Sequence, residues 1–291
     1  MATLSKKIDF AIIMSVKNAN PNGDPLYGNR PRTDYEGYGE ISDVCLKRKL
    51  RDRLRENGMQ IFVQSDDNKY DEYPNLRKRA EAMLGNLKNI PDIRNKACEI
   101  WFDVRAFGQV FPFKGSEKKG KKNQDTDSSE NGSSGAGISI AIRGPVTIQA
   151  AFSLENISSY IISEQIIKST SLEGDGVNRQ SDQMGMKHRI GKEVTYVTFG
   201  SMNPQLAERT GFSDEDAAVI KSILPKLFEN DASSARPEGS MAVRKAFWWE
   251  HNCKAGQYSS AKVHKTLAVN ADGSHSLKNL DGLKPQEIDG F

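Results

Sequence analysis

The chain has 291 residues, 37% of them hydrophobic, with 41 Lys and Arg against 38 Asp and Glu for a net charge of +3. That length allows one large domain or two small ones, and a mean hydropathy of -0.61 fits a globular protein with polar insertions. No run approaches the roughly 18 apolar residues of a membrane-spanning helix, and the charge excess is too small to imply nucleic acid by itself, so any such argument rests on where the charges sit.

The N-terminus, "MATLSKKIDFAIIMSV", sets two lysines before an apolar stretch, but Asp9 interrupts it and no small-residue cleavage site follows. It reads as a strand of a cytoplasmic protein, not as a signal peptide. Ile8, Phe10, Ile12, Met14 and Val16 give it a period of two. Next comes "NANPNGDPLYGNRPRTDYEGYGE", a loop of about 25 residues without periodicity; such loops in compact domains are functional or disordered. Its Gly and Asn residues tolerate left-handed backbone and let N–H groups approach a phosphate. Arg30 and Arg32 add charge, but neither nucleotide-binding glycine signature occurs. The alternative is a plain surface excursion.

Ser42 offers an N-cap, and Asp43 suits the positive end of the dipole of a helix ending at Asn57-Gly58. Leu46, Leu50 and Leu54 form a buried stripe. Lys47, Arg51 and Arg55 flank it on one side, Lys49 and Arg53 on the other, with Arg48 between. Those charges form either a solvated face or a phosphate-binding one. Residues 60 to 98 are mixed and charged, with a short exposed helix in "YPNLRKRAEAMLGNLKN". "EIWFDVRAFGQVF" (99 to 111) alternates like a strand. Residues 115 to 137 contain almost nothing apolar and predict a mobile loop. Residues 138 to 154 read as a strand broken at Gly144-Pro145.

"QMGMKHRIGK" (183 to 192) joins Met184 and Met186 to Lys187, His188, Arg189 and Lys192. It is either a flexible basic loop with tucked methionines or an arm that wedges apolar side chains between bases. A strand follows at about 193 to 199, then a helix over about 214 to 229 capped by Ser213 and kinked at Pro225. "RKAFWWEHN" and "KVHKTLAV" read as late strands, with Trp248 and Trp249 as core packing in preference to base stacking. The order is an α+β pattern compatible with a ferredoxin-like core carrying large insertions. Cys45, Cys98 and Cys253 are far apart with no C-x-x-C, which predicts a reduced compartment and no zinc. The four histidines have no metal-ligand spacing, and no nucleophile elbow or Cys–His signature occurs.

The succession "NPNGDP", "GYGEISDVCLKRKLRDRL", "DVRAFG" and "GMKHR" resembles the crRNA-binding backbone subunit of type I-C CRISPR Cascade, a member of the RAMP superfamily, across most of the chain. The resemblance implies a ferredoxin-like (RRM-like) palm, a finger insertion at about 65 to 95 and a thumb at about 175 to 200. It implies copies stacking head to tail along one crRNA in a helical filament, with thumbs flipping a nucleotide at intervals and the guide pairing with target DNA. Other Cascade subunits would cap the filament, and a recruited helicase-nuclease would cut; the subunit itself needs no cofactor and is not the enzyme.

Carried onto this sequence, Asn20, Asn22, Arg30 and Arg32 would lie near the RNA backbone, beside Ser42 at the start of the helix. Lys47, Arg48, Lys49 and Arg51 would supply cations, and Arg105 and Arg143 would face the guide from strands. Met184, Met186, Lys187, His188 and Arg189 would sit near the thumb tip. Guide binding would be independent of sequence and steeply salt-dependent. Two rivals remain. Related type III subunits cut RNA with a loop aspartate, and Asp24 and Asp34 occupy the matching region. A protein-only scaffold would use the basic helix for acidic partners.

Overall fold

The computed structural model describes residues 2–65, 69–85, 87, 89–113, 138–168 and 183–291. Its centre is the strand foreseen at the N-terminus, β1 (Ile8–Val16), buried on both faces. Period two sends Phe10, Ile12 and Met14 into the main core and Ala11 and Ile13 into a second apolar layer behind the sheet.

The other strands of this antiparallel sheet are β4 (Tyr38–Ile41), β8 (Ala151–Asn156), β11 (Val194–Met202), β12 (Met241–Glu250) and β15 (Gln286–Asp289), in the order β15-β12-β1-β11-β8-β4. The short β7 (Val146–Ile148) also pairs with β11. Helix α1 (Asp43–Glu56) follows β1, and α5 (Pro204–Thr210) and then α6 (Asp214–Ile223) follow β11. Helices α1 and α6 pack on one face of the sheet, α1 through the fully buried Leu46, Leu50 and Leu54 and α6 through Ala217, Ile220 and Ile223. Ser42 caps α1 by accepting from the Cys45 N–H, and Ser213 caps α6 in a reciprocal capping box with Asp216. The segment after β12, with α7 (Ser260–His264) and the hairpin β13 (Leu267–Val269)–β14 (His275–Leu277), covers the opposite face through Val263, Leu267 and Leu283.

Between α1 and β7 the chain builds a separate apolar cluster from Phe62, Ala80, Leu84, Ile93, Trp101 and Phe111, among others. Its frame is α2 (Leu76–Leu84), α3 (Ile90–Ile100), α4 (Phe102–Phe107) and the hairpin β5 (Gly108–Phe113)–β6 (Ile138–Arg143). This corrects the expected strand over 99 to 111. Pro91 opens a helix at its first turn, and the extended Trp101 separates α3 from α4. Only from Gly108, at φ 83, does the chain become a strand. The 115 to 137 segment lies outside the described residues.

Between β8 and β11 rises a second hairpin, β9 (Ile161–Lys168)–β10 (Gln183–Ile190). Three further expectations are corrected. The 183 to 190 stretch is a strand, not a loop. The 214 to 229 helix stops at Ile223 and passes into a 3-10 turn, Leu224–Lys226, at Pro225. "KVHKTLAV" is mostly the short α7, with a strand only from Leu267. Trp248 and Trp249 are core residues, as read.

Candidate nucleic-acid interface

The long connection after β1 is built, not structureless. Asn18, in left-handed backbone at φ 55, donates its N–H to Ile190 O at 2.8 Å, and the Ile190 N–H returns to Ala19 O at 2.8 Å. This ties the foot of the β9–β10 hairpin to the connection. Asn20 donates its backbone N–H to Ala235 O at 2.8 Å and its Nδ2 to Asn29 O at 2.6 Å. Asn22 Oδ1 accepts both the N–H and the hydroxyl of Ser42, at 2.9 and 2.8 Å. The Asn-rich stretch therefore crosses and clamps three chain segments and the start of α1. Asn20 is only 6% exposed, so its amide acts as a brace within the clamp.

Past this clamp, β2 (Gly23–Asp24) pairs with β3 (Arg30–Pro31) around a turn through Gly28 and Asn29, both at positive φ. The turn lifts Leu26, Tyr27 and Arg30 into solvent. Arg32 sits 3.8 Å from Asp24. Asp24 and Asp34 are both employed in turns: Asp24 Oδ1 accepts the Leu26 N–H, and Asp34 Oδ1 accepts those of Glu36 and Tyr38. Beside β3 runs β10. Between the 24–40 segment and β8–β9 opens a groove of about 650 Å³ lined by Tyr27, Arg30, Arg32, Tyr35 and Phe152, with Asp24, Asp34 and Glu40 also on its wall. Tyr27, Tyr35 and Phe152 are exposed. Sequence reasoning passed over these three rings, although "LYGNRPRTDY" interleaves aromatics with arginines in the manner of a stacking surface.

The cations expected on α1 are largely spent inside the protein. Lys49 is buried against Asp231, and Arg51 is bonded to the fully buried Asp103, whose carboxylate also accepts the N–H groups of Phe62 and Val63. Arg53 pairs with Glu56, Lys47 with Asp43 and Arg48 with Asp52. The picture of two open basic flanks is thereby corrected: carboxylates on the helix and from distant segments neutralise it. Arg105 lies on a helix, not a strand, and grips Asp216 through two bonds of 2.8 Å. Arg143 is exposed on β6 in the other hairpin, and no described carboxylate pairs with it.

On β10 the register separates the predicted residues. Lys187 pairs with Glu164 and Arg189 with Ile162 across the strands, whereas Met186 opposes Gln165 and His188 opposes Ser163. Lys187 and Arg189 thus share one face, and Met186 and His188 share the other. Met186 is 56% exposed, while His188 is buried and bonded to Ser163 Oγ at 2.8 Å. Arg189 is paired with Glu164, and Lys187 has no described carboxylate in ion-pair contact. Met184 lies on the same strand. Residues 184–189 run along β10 into the hairpin's foot at Ile190, and its connection, 169–182, lies outside the described residues. Lys192, next along, is clamped to Glu155 at 2.8 Å and lies over the Tyr160 ring. Hydrogen bonds from Lys192 and Tyr160, together with the Lys192 charge, outweigh burial and hold the Glu155 carboxyl below its usual range.

Around the clamp, open positive charge thus comes from Lys17, Arg30 and Lys187, none with a described carboxylate partner, beside an aromatic-lined groove. Cations and rings in this combination suit a single-stranded polyanion. Among the described residues no cluster of three or more His, Cys, Asp or Glu is placed to hold a metal, and no helix is long and apolar enough to cross a membrane.

The family model for "CRISPR-associated protein Cas7" matches residues 6–287. The chain belongs to the Cas7 family, in agreement with the resemblance its motifs carry. A CRISPR-associated protein Cas7 of Haloferax volcanii is 24% identical over 287 residues, covering 96% of this chain and 80% of that protein. A chain of a CRISPR RNA-guided surveillance complex is 15% identical at a TM-score of 0.42, covering 95% of this chain and 77% of its own. A chain of a type III-B Cmr-beta complex bound to cognate target RNA is 11% identical at a TM-score of 0.43, covering 86% of this chain and 62% of its own.

Proposed function

We propose that the chain is a non-catalytic backbone subunit of a type I-C CRISPR surveillance complex, oligomerising along crRNA in a helical filament and presenting the guide for pairing with target DNA in antiviral defence. Its further partners are the capping Cascade subunits and the recruited helicase-nuclease, and it works in the cytoplasm. The palm is ferredoxin-like. Support comes from the order β12-β1-β11-β8, with α1 after β1 and α6 after β11, which is the split βαβ arrangement. The cluster around α2 to β6 serves as the finger and the β9–β10 hairpin as the thumb.

The observation that carries the reading, beside family membership, is an aromatic-lined groove that holds Arg30, on the strand β3 that runs beside β10 and its Lys187, where the hairpin foot joins the 18–32 connection. Such a surface holds phosphates and stacks bases without reading sequence, as a guide with variable spacers demands. The test is the protein purified alone at moderate salt. RNA-rich particles of high mass that lose mass on ribonuclease treatment support it, and particles unchanged by ribonuclease favour a protein-only scaffold. The endoribonuclease reading is tested with complementary RNA and divalent metal, comparing Asp24→Ala and Asp34→Ala with the wild type. Cleavage lost in one variant alone would establish it.

A further inference from the structure

The two cationic parts of the interface, Arg30 on β3 and Lys187 on β10, belong to different segments, and something must hold them in register. Both are anchored on residues 18–20. Ala19 and Asn18 exchange backbone hydrogen bonds with Ile190 at the foot of β10, and Asn20 Nδ2 holds Asn29 O just before Arg30. Residue 20 is in turn fixed from behind, its N–H donating to Ala235 O. The 230–236 turn that supplies this carbonyl leaves Asn230 at φ 51 and closes through reciprocal Ser233–Arg236 backbone bonds.

Two side chains tie the turn to α1: Asn230 Nδ2 donates to Glu56 Oε2 at 3.3 Å at the helix end, and Asp231 reaches the buried flank. The Asp231 carboxylate takes Lys49 from the buried flank of α1 and Arg236 from its own turn, the latter at 3.1 Å. α1 touches the clamp directly as well, through Cys45 Sγ near Pro21 O at 3.7 Å. Asp231 thus links helix, turn and clamp. We infer that Asp231 is a positioning residue for polyanion binding: it fixes the 235 carbonyl, hence Asn20, hence the spacing of Arg30 from Lys187.

The inference rests on the RNA-binding reading above, and it makes a prediction opposite in sign to simple electrostatics. Asp231→Asn removes a negative charge and frees Arg236, so charge alone predicts tighter RNA binding. Positioning predicts weaker binding, by roughly fivefold, because a supporting shell that loosens misplaces the groups it holds. The probe is a fluorescein-labelled single-stranded RNA of arbitrary sequence, titrated against the full chain. Hydrogen exchange is followed at the amides of Asn18, Asn20 and Ile190.

The expected result is weaker binding by Asp231→Asn, faster exchange at those amides with β1 and β11 unchanged, and recovery of both in Asp231→Glu. Should Asp231→Asn fail to fold because it strands the Lys49 charge, Lys49→Met with Asp231→Asn removes that charge and takes its place. Binding equal to or tighter than wild type, or unchanged exchange at the three amides, overturns the inference. If the wild type itself binds no RNA, the function proposed above fails, and the exchange measurement alone decides the role of Asp231.

Discussion

Two stretches of this chain are candidates for a polyanion in the sequence, and the fold treats their cations differently. Helix α1 places six basic residues in nine positions from Lys47 to Arg55. The 30–32 stretch and β10 carry fewer, of which Arg32 lies by Asp24 and Arg189 pairs with Glu164. Yet on α1 Lys47, Arg48, Lys49, Arg51 and Arg53 all meet carboxylates, two of them Asp103 and Asp231 from far along the chain. Arg30 and Lys187 have no described carboxylate in ion-pair contact. A cation's value for binding depends on what the fold sets beside it, and a density of positive charge along a helix is as well suited to joining segments as to holding phosphates.

The comparison breaks most visibly at Asp103. Asp103→Asn weakens the bond to Arg51 and its hold on the Phe62 and Val63 amides, and is expected to cost about 3–5 kcal/mol of stability, since it leaves a buried charge uncompensated. Urea unfolding measures this; a change under about 1 kcal/mol would mean the α1 charges are not internal joints. For the same reason Lys47→Glu with Arg51→Glu, which the sequence alone suggests as a clean test of RNA retention, is expected to unfold the protein, because the second substitution sets a new carboxylate against that of Asp103.

A buried carboxylate behind the sheet sharpens the contrast. Asp9 is buried, so burial alone would raise its pKa, but hydrogen bonds from His264, Ser260 and His251 and the charge of Lys7 together lower it to about 2. His251 Nε2 lies 2.8 Å from Asp9 Oδ2, and its Nδ1 accepts the Gln257 N–H at 2.9 Å. Because the folded value lies below the unfolded one, this stabilisation is present in full above about pH 4 and is lost as pH falls toward 2, a difference of about 2 kcal/mol. Unfolding followed from pH 5 to pH 2 should show that loss, and Asp9→Asn should flatten it.

A smaller effect concerns the thiols. Burial, only partly offset by the charges of Arg105 and Arg94, pushes the Cys98 thiol up to about 11, and burial raises Cys45 as well. Cys253 is exposed. A thiol reagent at pH 8 should label one cysteine fast and two slowly; rapid labelling of Cys98 would show that the α2–β6 cluster opens readily. The smallest expected change is Lys47→Ala. Its pair with Asp43 is a partly exposed i,i+4 contact, so stability should move by about 0.5 kcal/mol or less and RNA affinity by less than about twofold.

The elements legible in the sequence were those whose signals are local. β1 shows a period of two, α1 a leucine every fourth position behind a Ser cap, and α6 a cap at Ser213. Three kinds of feature were hidden. Strands of two residues, Gly23–Asp24 and Arg30–Pro31, are too short to carry a period, so a clamped hairpin read as open loop. In 99–111, the alternation of Ile, Phe and Val imitates a strand, whereas packing of Trp101 and Val104 into the α2–β6 cluster decides for helices. The partners of α1's cations stand 52 and 182 residues away for Arg51 and Lys49, beyond any local pattern. For the interface, Arg30 and Lys187 could be named from sequence, but not their separation from the paired cations.

The most direct test of the central claim is the salt dependence of RNA affinity. Wild type is compared with Arg30→Ala plus Lys187→Ala, and with Lys47→Ala plus Arg48→Ala on α1. Each phosphate contact contributes about 0.7 to the logarithmic slope for a single strand. The account predicts a slope shallower by about 1.4 and an affinity at least roughly tenfold weaker for the Arg30 and Lys187 variant, with the α1 variant close to wild type. A slope that shifts with the α1 pair and not with Arg30 and Lys187 would contradict it and return the guide-binding surface to the helix.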